Sequence, residues 1–276
     1  MSTPTTGRLR VDGATLHYEV RGEGPPLLLI PGGTGGAASF DGVADMLAAE
    51  YTVASYDPRG LSRSPLDDPQ AQQRVARHAD DAFRLLDLLS PDAPARVVGC
   101  SSGAIVALHM LTERPERLER VVAHEPPVVE VLPDAAEHRA MLARVQETFH
   151  RDGLLPAAAE FAAALRRPGD PAPAPVELPP QARARAERTM ADMPYFLGSI
   201  VPSFMAYAPD LDRLEALKHR LVLAAGADSH GELPYRPAAC LAERFGTGLV
   251  HFPGGHTGLT THPAEFGDML RKVLAA

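Results

Sequence analysis

The run Leu27-Leu28-Leu29-Ile30 constrains this chain more than any other feature: it is bounded by Pro25-Pro26 and by Pro31-Gly32-Gly33. Four consecutive apolar residues between breakers predict a strand buried on both faces, as in a parallel sheet covered by helices. The rest of the chain supplies that cover. Helical patterns run from Phe40 to Leu47, Val75 to Leu89 and Ala104 to Leu111, alternating with strand patterns at Tyr51 to Tyr56, Ala95 to Val98 and Leu118 to Ala123. After Leu211 to Leu217 the rhythm returns with strand Leu221 to Ala225, helix Arg236 to Phe245, strand Leu249 to Phe252 and helix Pro263 to Leu274. Such alternation predicts an α/β fold with right-handed crossovers. Only the start differs, where Asp12-Gly13 between Arg8 to Val11 and Thr15 to Val20 predicts an antiparallel hairpin.

Between Pro133 and Pro209 strand patterns are missing. Helical patterns cover Ala135 to Arg151, Leu155 to Arg167, Ala182 to Met193 and Tyr195 to Tyr207, and the proline-rich stretch Pro168 to Pro180 reads as an exposed loop. The expected organisation is one core made of residues 1–132 and 210–276, with a helical cap inserted at 133–209.

A formal charge of −8 gives no basic footprint for phosphate contacts, so a nucleic-acid partner is not expected. Residues 1–10 carry no long apolar stretch, and no later run approaches the roughly 20 apolar residues that span a bilayer. A cytoplasmic protein without a membrane partner is expected. Two cysteines, Cys100 and Cys240, are too few for a disulfide scaffold and lie in no metal-ligand spacing. The scarcity of lysine beside arginine, with abundant Ala and Pro, suggests a GC-rich bacterial genome. Oligomeric state is not encoded legibly.

The chemistry centres on Gly99-Cys100-Ser101-Ser102-Gly103. G-x-S-x-G is a weak signal alone, but here it joins a strand to a helix, the setting of a nucleophile elbow. A sharp turn there needs small residues on both sides and exposes the Ser101 hydroxyl at the carboxyl edge of the sheet, while the helix start offers the Ser102 N–H to an oxyanion. A serine hydroxyl needs a base. His256, in Pro253-Gly254-Gly255-His256-Thr257-Gly258 after the last strand, faces the same edge; His124 and His230 are weaker alternatives. The imidazole needs a carboxylate, and Asp228, just past strand Leu221 to Ala225, precedes Glu125, which follows strand Leu118 to Ala123, in order of preference. The turn Gly32-Gly33-Thr34-Gly35-Gly36 lacks the Gly-Lys-Ser/Thr ending of a nucleotide loop. It reads as an oxyanion loop with Gly33 N–H as donor and Thr34 as the alternative. Cys100 is expected to point away from the edge.

On these residues the chain resembles the α/β-hydrolase superfamily. Leu28-Leu29-Ile30-Pro31-Gly32-Gly33 resembles the family's oxyanion loop, with Pro31 for the usual histidine. Tyr56-Asp57-Pro58-Arg59-Gly60-Leu61-Ser62-Arg63-Ser64 resembles its D-x-R-G-x-G-x-S turn, with Ser62 for the second glycine. The elbow at Ser101, and Gly255-His256 followed by Pro263 and Phe266, complete the likeness. The resemblance implies a capped serine hydrolase of esterase or lactonase type; a serine nucleophile argues against epoxide hydrolases and haloalkane dehalogenases, whose nucleophile is aspartate. It allows the acid after either strand.

The expected activity is hydrolysis of a small or medium apolar ester, lactone or amide through an acyl-enzyme, with a small-molecule substrate and no cofactor or metal. Carbon–carbon bond hydrolysis, natural-product tailoring and a non-catalytic ligand receptor are the alternatives. Tyr195, Phe196, Phe204 and Met205, on one helical pattern, are the expected pocket residues.

Overall fold

The computed structural model describes residues 3–167, 169–170 and 189–275. Eight strands form one sheet: β1 (Thr5–Val11), β2 (Ala14–Arg21), β3 (Pro26–Ile30), β4 (Thr52–Tyr56), β5 (Ala95–Cys100), β6 (Leu118–His124), β7 (Leu221–Gly226) and β8 (Leu249–Phe252). Their spatial order is β1-β2-β4-β3-β5-β6-β7-β8. β1 and β2 pair as the expected hairpin, closing from Val11 to Ala14, and β2 meets β4 antiparallel. Every other neighbour is parallel, so the expected mostly parallel sheet is borne out.

Burial on both faces explains the apolar strands. Leu28 and Ile30 point into a core shared with α2 (Val75–Leu89), α3 (Ser102–Glu113), α8 (Leu211–Ala216) and α9 (Tyr235–Phe245). Leu27 and Leu29 point the other way, into a core shared with α1 (Asp41–Leu47) and α11 (Pro263–Ala275). Alternate residues of one strand thus bury against opposite helical layers, which removes any polar face. The sequence signal survives as continuous apolarity.

Between β6 and β7 the chain leaves the sheet. α4 (Ala135–Asp152) and α5 (Leu154–Leu165) pack against each other, and α6 (residues 189–195) runs through a π-helical turn (Phe196–Ile200) into α7 (Val201–Met205). Met141, Leu142, Val145, Phe161, Leu197 and Val201 give these helices an apolar cluster of their own. The helix expected over Tyr195 to Tyr207 is therefore the end of a longer element that stops at Met205. The loop expected at Pro168 to Pro180, except 169–170, and the helix expected from Ala182, up to residue 188, lie outside the described residues. Among the described residues no helix is long and apolar enough to cross a membrane.

The Asp57 to Ser64 segment is a braced turn. Asp57, fully buried, accepts the Ala37 N–H at 2.8 Å and pairs with the Arg63 guanidinium at 2.7 Å. Arg59 turns inward to a two-pronged ion pair with Asp81 on α2, both side chains almost wholly buried. Ser62 adopts φ 52° at the position where the resembled motif has glycine. These contacts anchor the loop on which α6 rests.

Candidate active site

Ser101 stands between the end of β5 and the start of α3, with φ 53° and ψ −122°. A non-glycine residue held there costs about 1–3 kcal/mol, and the surroundings must impose it. They leave no room for larger neighbours: a Cβ on Gly99 would stand 2.3 Å from the Gly103 carbonyl oxygen, and one on Gly103 would stand 2.3 Å from that of Ile30. Close packing of β3, β5 and the start of α3 is what requires both glycines. The Ser101 N–H donates to the His124 carbonyl at 2.9 Å, which ties the elbow to the end of β6.

His256, in the loop after β8, points Nε2 at Ser101 Oγ across 3.2 Å and Nδ1 at Glu125 Oε2 across 2.6 Å. Glu125 is completely buried, follows β6 directly and has φ 48°. Its other oxygen, Oε1, accepts the Gly226 N–H at 2.8 Å and the Ser229 hydroxyl. Burial pushes the Glu125 carboxyl upward, but the hydrogen bond and charge of His256, with smaller help from His124 and Ser229, outweigh it and hold the group below its ordinary value. Glu125 stays ionised beside the imidazole.

The sequence preference for Asp228 is thereby corrected in favour of its alternative. Asp228 follows β7 and is exposed; its backbone N–H donates to the Gly254 carbonyl at 3.0 Å, bracing the loop that carries His256. β6 and β7 are neighbours, so both carboxylates reach the same edge. Only Glu125 turns inward, because Gly226 and Ser229 supply donors beneath it. Ser229, wholly buried, is a site residue that sequence reasoning missed, its one signal being its place next to Asp228.

The other candidates fall elsewhere. His124 packs its ring edge-on against Phe252 and Phe266, and burial lowers its pKa to about 4. His230 is exposed and lies against Tyr235. Cys100, expected to point away, lines the same cavity as Ser101, but burial and the nearby Glu125 charge push its thiol up to about 12, so it remains protonated.

On the oxyanion side, Ser102 is the first residue of α3, and its N–H has no acceptor among the described residues. The Gly33 N–H faces it and donates to Ser102 Oγ at 3.0 Å. Thr34 is buried next to both, and its N–H likewise meets no acceptor among the described residues.

A cavity of about 400 Å3 opens over Ser101 and His256. Gly33, Thr34 and Ser102 form its floor; Phe196, Phe204 and Met205 line its roof, joined by Phe161, Ile200 and Val201. Tyr195 is a correction. It stands outside the cavity, over Gly60, with its hydroxyl 3.4 Å from the Arg59 carbonyl oxygen. One helical repeat spreads residues around the axis, so Tyr195 and Phe196 cannot share a face.

Residues 25–174 match the family model described as alpha/beta hydrolase fold. The chain is 36% identical over 277 residues to a Bacillus subtilis (strain 168) protein named uncharacterized hydrolase YraK, covering 99% of this chain and 97% of that one. It is 34% identical over 119 residues to a zearalenone hydrolase of Bionectria ochroleuca, covering 42% of this chain and 45% of the relative. Among solved structures, a bromoperoxidase from Bacillus anthracis superposes with a TM-score of 0.77 at 20% identity, covering 99% of this chain and all of the other. An enol-lactonase from Burkholderia xenovorans LB400 superposes with a TM-score of 0.71 at 17% identity, covering 98% and 100%. At these identities the two structures speak to fold alone.

Proposed function

Starting from a chain that belongs to the alpha/beta hydrolase fold family and is a hydrolase by that kinship, we propose that it cleaves a small or medium apolar ester, lactone or amide through an acyl-enzyme on Ser101. The observation that carries this reading is the unbroken contact from Ser101 Oγ through His256 to the buried Glu125 carboxylate.

His256 Nε2 takes the Ser101 proton as Oγ attacks the carbonyl, and returns it to the leaving group; water then repeats the sequence to free the acid. Glu125 holds the ring so that Nε2, not Nδ1, faces the serine, and its charge stabilises the imidazolium that forms. The Ser102 N–H, with the Gly33–Thr34 turn, receives the developing oxyanion at the start of α3. The described helices between β6 and β7 act as a cap. Their aromatic and aliphatic side chains would hold the apolar part of the substrate and exclude water, in a cavity near the small end of ligand pockets. The zearalenone hydrolase likeness is compatible with this but covers less than half of either chain.

Treatment with a fluorophosphonate probe, followed by intact mass, tests the reading. One adduct on the wild type and none on Ser101→Ala, together with turnover of p-nitrophenyl esters, is the expected result. A wild type that takes no adduct and turns over no ester would overturn it.

A further inference from the structure

The side chain of Ser102 is placed and bonded in a way that its position beside the nucleophile does not require. Its Oγ accepts the Gly33 N–H at 3.0 Å, whereas its own hydrogen finds no acceptor among the described residues. The residue lines the cavity together with Ser101 and His256. Gly33 has φ 60°, and a Cβ there would meet nothing within 4 Å, so space does not demand a glycine; the backbone direction that aims the N–H at Ser102 does.

The Gly33 N–H is therefore already engaged, which leaves the Thr34 N–H as the free donor of that turn, and the hydroxyl that holds Gly33 lines the same cavity with its own O–H unused among the described residues. A hydroxyl that accepts one hydrogen bond is polarised and donates a stronger one. Building on the serine hydrolase reading above, we propose that the Ser102 hydroxyl, held by the Gly33 N–H, is a side-chain donor of the oxyanion site, beside the Ser102 and Thr34 N–H groups. Ser102 then serves the oxyanion twice, through its backbone N–H and its side chain. The hydroxyl keeps its proton throughout: it strengthens a hydrogen bond as charge gathers on the carbonyl oxygen, and no bond to it forms or breaks.

The test compares wild type, Ser102→Ala and Ser102→Thr on p-nitrophenyl acetate and butyrate, with kcat and KM determined separately and thermal midpoints alongside. Loss of one oxyanion donor predicts a fall in kcat of about 100-fold for Ser102→Ala with little change in KM, and recovery to within about tenfold of wild type in Ser102→Thr. An alanine variant that folds and equals or exceeds the wild-type kcat overturns the proposal, because the hydroxyl would then only obstruct the Gly33 N–H. Should the alanine variant not fold, Ser102→Cys, similar in shape but a weak donor, must show the kcat loss, and normal turnover in it overturns the proposal equally. Fluorophosphonate labelling separates the two levels of argument. Labelled wild type with an unimpaired alanine variant sinks only the role of Ser102; unlabelled, inactive wild type sinks the hydrolase reading and this one with it.

Discussion

Glu125 combines full burial, a left-handed backbone and three hydrogen-bond donors on its two oxygens. Among the described residues His256 is the basic side chain hydrogen-bonded to this enclosed carboxylate. Replacing Glu125 by Gln keeps the shape and removes the charge, which is expected to lower kcat by about 10³- to 10⁴-fold on a p-nitrophenyl ester, as loss of the charged partner does in related constellations. Asp228→Asn, at an exposed site, is expected to stay within about threefold, since surface changes of this kind have small effects. The reverse ranking would return the acid to Asp228. Ser101 and His256 were legible from sequence because each sits in a local motif with glycines that only a tight turn explains. The carboxylate that meets His256 was not, since two carboxylates follow two adjacent strands and what separates them, the Ser229 hydroxyl and Gly226 N–H beneath Glu125, is brought in from over a hundred residues away.

Among elements, those of the sheet were readable almost to the residue: α2 spans Val75–Leu89 as its periodicity predicts, and β6 and β7 differ from expectation by one residue each. The described part of the stretch between β6 and β7 was readable as helical but not in its facing, because its apolar residues serve two masters, an internal cluster and the cavity. Phe196 and Ile200 stand four apart on a π-helical turn, a local widening that sets both over the cavity. Ile200→Phe would fill part of that space, and kcat/KM for the longest p-nitrophenyl ester accepted is expected to fall about tenfold while the acetate is spared. Uniform loss across chain lengths would instead mean that the roof supports the fold and not the substrate. The loop beneath α6 is held by the Arg59–Asp81 pair. Breaking a buried ion pair from one side leaves an uncompensated charge, so Asp81→Asn is expected to cost about 3–5 kcal/mol in urea unfolding.

For the molecule as a whole, acid is the condition most revealing of these burials. Burial lowers His78 to about 3, with the Arg59 charge adding to it, and His124 to about 4, against an ordinary value of 6.5. The unfolded chain binds those protons first, so stability present above about pH 6.5 is lost as pH falls toward 4. Glu125, depressed from 4.5, extends the loss below that value, because protonating it removes its bond to His256. The urea midpoint should therefore be highest near neutrality and drop steadily from pH 6.5 to 4, with a shallower fall in His78→Gln; a flat profile over that range would contradict the buried placement of both histidines. The chain between β6 and β7 leaves one strand and returns to the strand hydrogen-bonded to it. A detour that begins and ends at one point of the sheet can lengthen, shorten or change its lining without shifting any strand's register. Under the proposed reading the chemistry is inherited with the sheet, while the choice of substrate is free to be rewritten in a single stretch of sequence.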